Sequence, residues 1–357
     1  IPWGRLRIIM PYSGGGFGNK PDARDEPLGA WLTLQLGGRL VKIDCQREET
    51  FVNNRVRHAI RTHIVSWVRP DGSFAARKIE CFSNQGAYAS HGHGIAAKGM
   101  GAFPQIYPCP NVEGDAYTVF TNRPAAGAMR GYGIPQAMWA GESHLDDVAR
   151  ALGRDPVEYR RQVAMPQGYV DAFSKNENYF DTFRQVMDRG MAAIDYQRKR
   201  QAYADQTGPV RRGVGMALFW YNTAVWPISL ESCSCRMVLN QDGSVQVQTG
   251  ETEIGQGCDT AFAQMAADAI GIPFEQVHIV SAQDTDVTPF GTGAYASRQT
   301  YVGGFALRQT GGLLKERILT CAAELTRQMR ENLDLAEGRI VRVSDGRVLM
   351  GLDELAT

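Results

Sequence analysis

An α+β fold of two related domains is predicted by three observations. A unit of strand, glycine-rich loop, helix and strand reads twice along the chain. Glycine is abundant, 39 of 357 residues against a usual ~7%, and it gathers at helix starts. The length itself suits two domains at about 150 residues each. The expected division is 1–190 and 191–357, each domain large enough to bury a core.

The elements follow in order. Apolar Leu6–Met10 is an expected strand, followed by the loop Ser13-Gly14-Gly15-Gly16-Phe17-Gly18-Asn19-Lys20. Leu28, Trp31, Leu32 and Leu36 recur at helical spacing, which predicts a helix over Pro27–Leu36 that Gly37-Gly38 stops. Leu40–Asp44 completes the first copy as a strand. Residues 59–86 read as a hairpin turning at Pro70-Asp71-Gly72. A glycine-rich turn over 122–133 leads into a helix of about Pro135–Leu152, and Asp155-Pro156 supplies the cap and first residue of a helix through Val163. Polar Asp188–Arg212 reads as helix plus linker. The second copy is a strand Ser244–Thr249, a loop Gly250–Gly257, a helix Asp259–Ile270 with Phe262, Met265, Ala266 and Ile270 on one face, and a strand Val277–Ser281. Thr292–Arg298 then opens a long helix to about Met329.

Composition excludes several classes. Lys+Arg and Asp+Glu balance at 38 each, so no basic face for nucleic acid is implied. Hydrophobic residues make up 43%, too many for a disordered chain. No apolar run approaches the roughly 20 residues of a membrane helix. Seven scattered cysteines without a C-x-x-C pair give no zinc or iron–sulfur framework, and they suit a reduced, cytoplasmic compartment. His91 and His93 form the one close histidine pair and are expected to be loop or strand residues, since a metal site needs three or four convergent ligands. No protein-ligated metal is therefore expected. The chain opens on a strand-like run without Met or signal peptide and closes at Gly351–Thr357 in mid-element, which reads as an internal fragment.

Glycine-rich helix starts expose backbone N–H groups at the positive end of the helix dipole, so several in one chain point to a shared anionic ligand held largely by main chain. The familiar motifs fail. Asn19 and Pro21 flank Lys20, which breaks a P-loop, and Asn19 and Pro21 also occupy the positions where a Rossmann fingerprint needs glycine. No G-x-S-x-G elbow occurs.

Taken together the loops resemble one family. Gly14–Lys20 is similar to the GGGFGxK loop of the xanthine dehydrogenase/aldehyde oxidase family of molybdenum hydroxylases. Ala128–Gln136 resembles its RG[FY]GxPQ segment, Gly250–Gly257 its G-x-T-E-x-GQG loop, and Thr288-Pro289-Phe290 with Gly293–Arg298 its TP…GA[FY]ASR segment. Asp155-Pro156-Val157-Glu158 matches its D-P-[VL]-E helix start. The likeness spans essentially the whole chain, and within the family it is nearest to bacterial molybdenum-binding subunits.

The resemblance implies a molybdenum ion on a pterin dithiolene (molybdopterin), in some members extended to a cytosine dinucleotide, with 2Fe-2S and FAD groups on partner subunits or domains. It implies hydroxylation of N-heteroaromatics or aldehydes with water as oxygen source, the chemistry being the cofactor's. Gly16, Phe17 and Gly18 would lie beside the metal. Arg130 would stabilise charge developing on substrate. Tyr132 and Trp226 would form aromatic walls. Ile254, Gly255, Gln256 and Gly257 would bind the pterin edge or phosphate, and Ala294, Ala296, Ser297 and Arg298 would form a second amide nest, with Arg298 either a phosphate partner or a surface residue.

Two departures bear on substrate. Purine oxidisers often place Glu or Gln where Pro21 stands, and a second Arg where the spacing reaches Lys98. Lys is no substitute for Arg in planar recognition, so xanthine is expected to be a poor substrate and a carboxylated ring a better one. A third departure is an absence: the family's general-base Glu sits in a G-E-P-P-type segment beyond Thr357, so the chain alone is expected to be inactive, either part of a larger enzyme or a non-catalytic scaffold fragment.

Overall fold

The computed structural model describes residues 2–171, 175, 177–225 and 231–357. In chain order the elements are β1 (Ile9–Met10), α1 (Glu26–Gln35), α2 (Arg47–Asn53), β2 (Ile60–Val68), β3 (Phe74–Gly86), α3 (Gly92–Ile106), β4 (Val112–Phe120), α4 (Ile134–Ala151), α5 (Pro156–Val163), α6 (Thr182–Ala193), α7 (Tyr196–Ala202), β5 (Cys235–Leu239), β6 (Val245–Thr249), α8 (Cys258–Ile270), β7 (Val277–Ile279), β8 (Gln283–Asp284), α9 (Gly304–Thr326), β9 (Leu333–Ala336), β10 (Arg339–Arg342), β11 (Val348–Gly351) and α10 (Leu352–Ala356).

The chain forms two compact units, Phe17–Tyr221 and Ile1–Gly16 with Asn222–Thr357. This differs from a single break at 190. Met187, Tyr196 and Leu218 share one buried cluster with Leu145 and Tyr159, so the segment after 190 stays with what precedes it. At the other end β1 pairs antiparallel with β8, Ile9 opposite Asp284, which draws the N-terminal residues into the second unit.

In the Phe17–Tyr221 unit the sheet order is β2-β3-β4, β2 antiparallel and β4 parallel to β3. β2 alternates inward Ile60, Ile64 and Val68 with outward His63, Val65 and Trp67, as a half-buried strand must. Its hairpin turns at Asp71-Gly72, where Asp71 Oδ1 accepts the Ser73 N–H at 2.8 Å. A parallel return needs a crossover helix, and α3 supplies it, burying Ile95, Ala102, Phe103 and Ile106. α5 starts as expected, the Asp155 carboxylate accepting the N–H groups of Val157 and Glu158.

The other unit repeats this build. β5-β6-β7 has the same antiparallel-then-parallel order, with α8 as crossover. The hairpin again turns at Asp-Gly-Ser, Asp242 Oδ1 accepting the Ser244 N–H at 3.0 Å. Val245, Val247, Phe262, Ala266 and Ile270 are buried together with Leu307, Ile318 and Leu319 of α9. A further sheet, β11-β10-β9, adds Leu333, Leu335 and Ile340 to that core.

The expected repeat is therefore present, and its second copy lies where the sequence placed it. Its first copy does not. Leu40–Asp44 forms no strand, with Leu40 98% exposed, because among the described residues no partner strand lies alongside it. Leu6–Met10 shrinks to the two paired residues of β1. The true first copy is β2-β3-α3-β4, so the loop corresponding to 250–257 is the one over 86–91, which carries a single glycine, Gly86.

Candidate functional site

In the Phe17–Tyr221 unit two distant segments are locked together. Gly18 has φ +103°, and a Cβ there would lie 2.7 Å from the Ala128 carbonyl carbon and oxygen, so only glycine allows the approach. Arg130 N–H donates to the Phe17 carbonyl at 2.7 Å across this contact. Phe17 itself is left-handed at φ +54° and 58% exposed. Such strain in a non-glycine residue costs about 1–3 kcal/mol and persists where the surroundings impose it, commonly at ligand sites. The Arg130 guanidinium is exposed and has no carboxylate partner among the described residues. Its carbonyl accepts from Arg57 Nη2 at 2.7 Å, which brings a second cation beside it.

Tyr132 follows at φ +47° between two left-handed glycines, Gly131 and Gly133. Its hydroxyl lies 2.9 Å from His91 Nδ1, and His91 Nε2 lies 3.0 Å from Asp22 Oδ1. Ser90 Oγ donates to Asp22 Oδ2 at 2.8 Å. Burial pushes the Asp22 carboxyl up, but the hydrogen bonds from Ser90 and His91 outweigh it and hold the group below its usual range. His91, read from sequence as an ordinary loop histidine, joins Asp22 to Tyr132. The signal that distinguishes it was its place at the start of α3, the crossover helix, and the unit repeat had to be registered correctly to see it.

Lys98 is half-buried about two turns further along α3. Its ammonium sits 4.4 Å from the Tyr221 ring centroid and 5.9 Å from that of Tyr132, and burial lowers its pKa. Cation–π contact offsets part of that burial. Pro21 is exposed, next to Asp22. Gln85, also unanticipated, is fully buried and clamps the 86–91 loop by donating to the Tyr88 and Ala126 carbonyls at 3.0 and 2.9 Å.

In the other unit the 250–257 loop closes on itself. Glu253 accepts the N–H groups of Gly255, Gly257 and Asp259 at 2.6, 3.1 and 3.1 Å. Burial raises this carboxyl, and the three N–H bonds outweigh it and hold it below its usual range. The Ile254 N–H donates to Gln256 Oε1 at 2.7 Å, and Gln256 Nε2 donates to the Thr252 carbonyl at 3.0 Å and Gln299 Oε1 at 2.5 Å. The expected amide nest at Ile254, Gly255 and Gly257 is thus filled by the chain's own carboxylate and amide.

The segment before α9 is different. Ala296 and Ser297 are successive left-handed residues at φ +50° and +56°. Among the described residues no acceptor takes the N–H groups of Ala294, Ala296 or Ser297, and the same holds for Gly16 and Gly18. Consecutive free amides in this conformation form a concave anion site. A π-helical turn, Gln299–Gly303, follows, a feature frequent at functional sites.

Arg298 is neither a phosphate contact nor a surface residue. It is fully buried, with Nε 2.6 Å from Glu231 and Nη1 2.5 Å from Glu251, and it also donates to the Ser232 carbonyl at 2.8 Å. Burial lowers its pKa, and the two carboxylates more than restore it. With every face taken, it braces the loop from behind. Trp226 lies outside the described residues. Among the described residues one group has metal-ligand geometry, Glu253, Cys258 and Asp259, and Glu253 there is committed to backbone N–H groups. No helix of the described residues is long and apolar enough to cross a membrane.

Residues 1–164 and 189–357 match two families, each described as a molybdopterin cofactor-binding domain. The chain is 45% identical over all 357 residues to a putative xanthine dehydrogenase molybdenum-binding subunit of Escherichia coli K12, covering 48% of it. It is 31% identical over 204 residues, 56% of this chain and 48% of the other, to the nicotinate dehydrogenase large molybdopterin subunit of Eubacterium barkeri. The fold is similar to quinoline 2-oxidoreductase of Pseudomonas putida 86, at TM-score 0.85 and 25% identity over 98% of this chain and 46% of that one. It also resembles the aldehyde oxidoreductase of Desulfovibrio desulfuricans, at TM-score 0.76 and 26% identity over 88% and 34%. The chain thus spans about half the length of the curated relatives named here.

Proposed function

The chain belongs to the molybdopterin cofactor-binding family, and on that premise we propose that it is the pterin-holding and substrate-facing part of a molybdenum hydroxylase. The complete enzyme oxidises N-heteroaromatics or aldehydes in the cytoplasm and carries 2Fe-2S and FAD groups on other domains or subunits. One observation carries the reading. The Phe17-Gly18 turn and the 128–130 segment, far apart in sequence, are held in contact by a bond that leaves the Arg130 guanidinium exposed and without a counter-ion among the described residues.

The residues present fit a large anionic pterin. Among the described residues each unit has unclaimed N–H groups of its own, Gly18 in one and Gly16, Ala294, Ala296 and Ser297 in the other, of the kind that suits a phosphate or ring edge, whether or not a cytosine dinucleotide extends the pterin. Gln256 enters its role by exchanging the Gln299 bond for one to the pterin, while Ile254, Gly255 and Gly257 keep the loop's shape. When bound, the cofactor supplies the two-electron oxidation, with water as oxygen source. Arg130 holds positive charge where negative charge develops on substrate, and Tyr132 forms one wall. Lys98 has no carboxylate partner among the described residues and favours a substrate that carries its own anion, as a carboxylated ring does. The general base belongs to the part of the enzyme beyond this chain, so the chain alone is assigned no turnover.

Metal and pterin analysis of the complete enzyme, with dye reduction by nicotinate, xanthine and benzaldehyde, tests this. Wild type is expected to hold molybdenum and reduce dye, and Gly18→Ala to lose both by tenfold or more. A folded wild type without molybdenum, or a Gly18→Ala variant as loaded and active as wild type, overturns the reading.

A further inference from the structure

We propose that Asp22 and His91 are positioning residues acting through the Tyr132 hydroxyl, and that this hydroxyl accepts a hydrogen bond from a ring N–H of the heteroaromatic substrate or product. The inference rests on the hydroxylase reading above. It starts from proton accounting. Asp22 is a carboxylate and only accepts. Its Oδ2 takes the Ser90 hydroxyl at 2.8 Å, with Arg55 Nε 3.7 Å away, and its Oδ1 faces His91 Nε2 at 3.0 Å. In the neutral imidazole the single proton of His91 therefore sits on Nε2, which leaves Nδ1 as a lone pair. The Tyr132 hydroxyl, 2.9 Å from Nδ1, must donate to it. Its only proton is spent inward, and the oxygen is left with acceptor capacity alone.

The surroundings keep it so. Gly94 leaves room for the phenol, since a Cβ there would sit 2.9 Å from the Tyr132 oxygen. Among the described residues the charged or titratable groups facing the ring are His91 with Asp22 behind it, Lys98 and Tyr221, and neither Lys98 nor Tyr221 makes a hydrogen bond to the hydroxyl. The cluster is not sealed in a core. The Asp22 and His91 side chains are 29% and 35% exposed, and the segment next to Tyr132 carries the exposed Arg130. Hydroxylation next to a ring nitrogen yields a lactam, whose N–H is a donor that this oxygen can meet. The polar contact that Pro21 lacks is thereby supplied from Tyr132.

The test is equilibrium binding of products to the complete enzyme by difference spectroscopy. The probes are urate against its tetramethyl derivative, and 6-hydroxynicotinate against its N-methyl lactam. For at least one pair wild type is expected to favour the N–H form, and Tyr132→Phe to reduce that preference about tenfold. Asp22→Asn, His91→Phe and Gly94→Ala, the last displacing the hydroxyl while removing no group, are expected to reduce it in part, and to have no further effect in a Tyr132→Phe background. Preference unchanged in Tyr132→Phe, or losses that add in the double variants, overturns the proposal. A wild type that binds neither pair, or holds no molybdenum, overturns the hydroxylase reading instead.

Discussion

The two units share a hairpin turned by Asp-Gly-Ser, a parallel return and a crossover helix entered from a loop that leaves the middle strand, yet they use that loop differently. In the second unit the loop before α8 folds onto its own Glu253, and the free amides lie elsewhere, before α9. In the first unit the loop before α3 is tied by Gln85 and His91 to segments at 126, 132 and 22. A glycine-rich helix start is thus not in itself an anion site. What decides is whether the chain supplies an acceptor of its own.

The arginines divide the same way. Arg298 is buried and paired twice, and Arg130 is exposed and unpaired among the described residues. The largest effect should come from Arg298→Ala, which leaves Glu231 and Glu251 without their buried partner. A loss of about 3–5 kcal/mol is expected in urea unfolding. The first unit has its own version in Arg160, bonded to Glu142 and Asp146 at 2.7 and 2.6 Å, and Arg160→Ala should cost about as much. A cost below ~1 kcal/mol for either would show that the brace is not needed.

Arg130→Ala sharpens the contrast. In the complete enzyme it should leave the unfolding midpoint and molybdenum content unchanged while turnover falls roughly 10²–10³-fold, the usual value of a donor aimed at developing charge. Near-normal turnover at equal loading would remove Arg130 from the site.

The smallest effect concerns the self-capped loop. Glu253→Ala should cost ~1 kcal/mol, as loss of a helix-start acceptor does. Because the Glu253 carboxyl lies below its usual range when folded, its contribution is full above that range and is lost as pH falls through the folded value. The melting-temperature gap between wild type and Glu253→Ala should therefore be present at pH 7 and close below about pH 4. A gap that widens in acid would contradict the capping role.

Much of this was legible in the residues. The second-unit repeat, the hairpin at Asp71-Gly72, the Asp155 cap and the motif segments at 14–20, 128–136 and 293–298 depend on local turn chemistry and periodicity, which a sequence carries directly. The first copy of the repeat was misplaced because Leu6–Met10 and Leu40–Asp44 look like strands, and a strand exists only where another edge accepts its hydrogen bonds. The cue that registers it, Asp-Gly-Ser at both 71–73 and 242–244, was in plain sight.

The sequence by itself determined which segments form loops and helices, where glycine is obligatory, and the family to which the chain belongs. Each follows from short-range sterics or from ordered local motifs. Only the tertiary structure decided what those segments face. It made Arg298 a brace and left Arg130 exposed, filled the Gly255 amides with Glu253, and set His91 between Asp22 and Tyr132. Burial and partnership depend on residues tens to hundreds of positions away, and one arginine or histidine is identical in sequence to another until its neighbours in space are known.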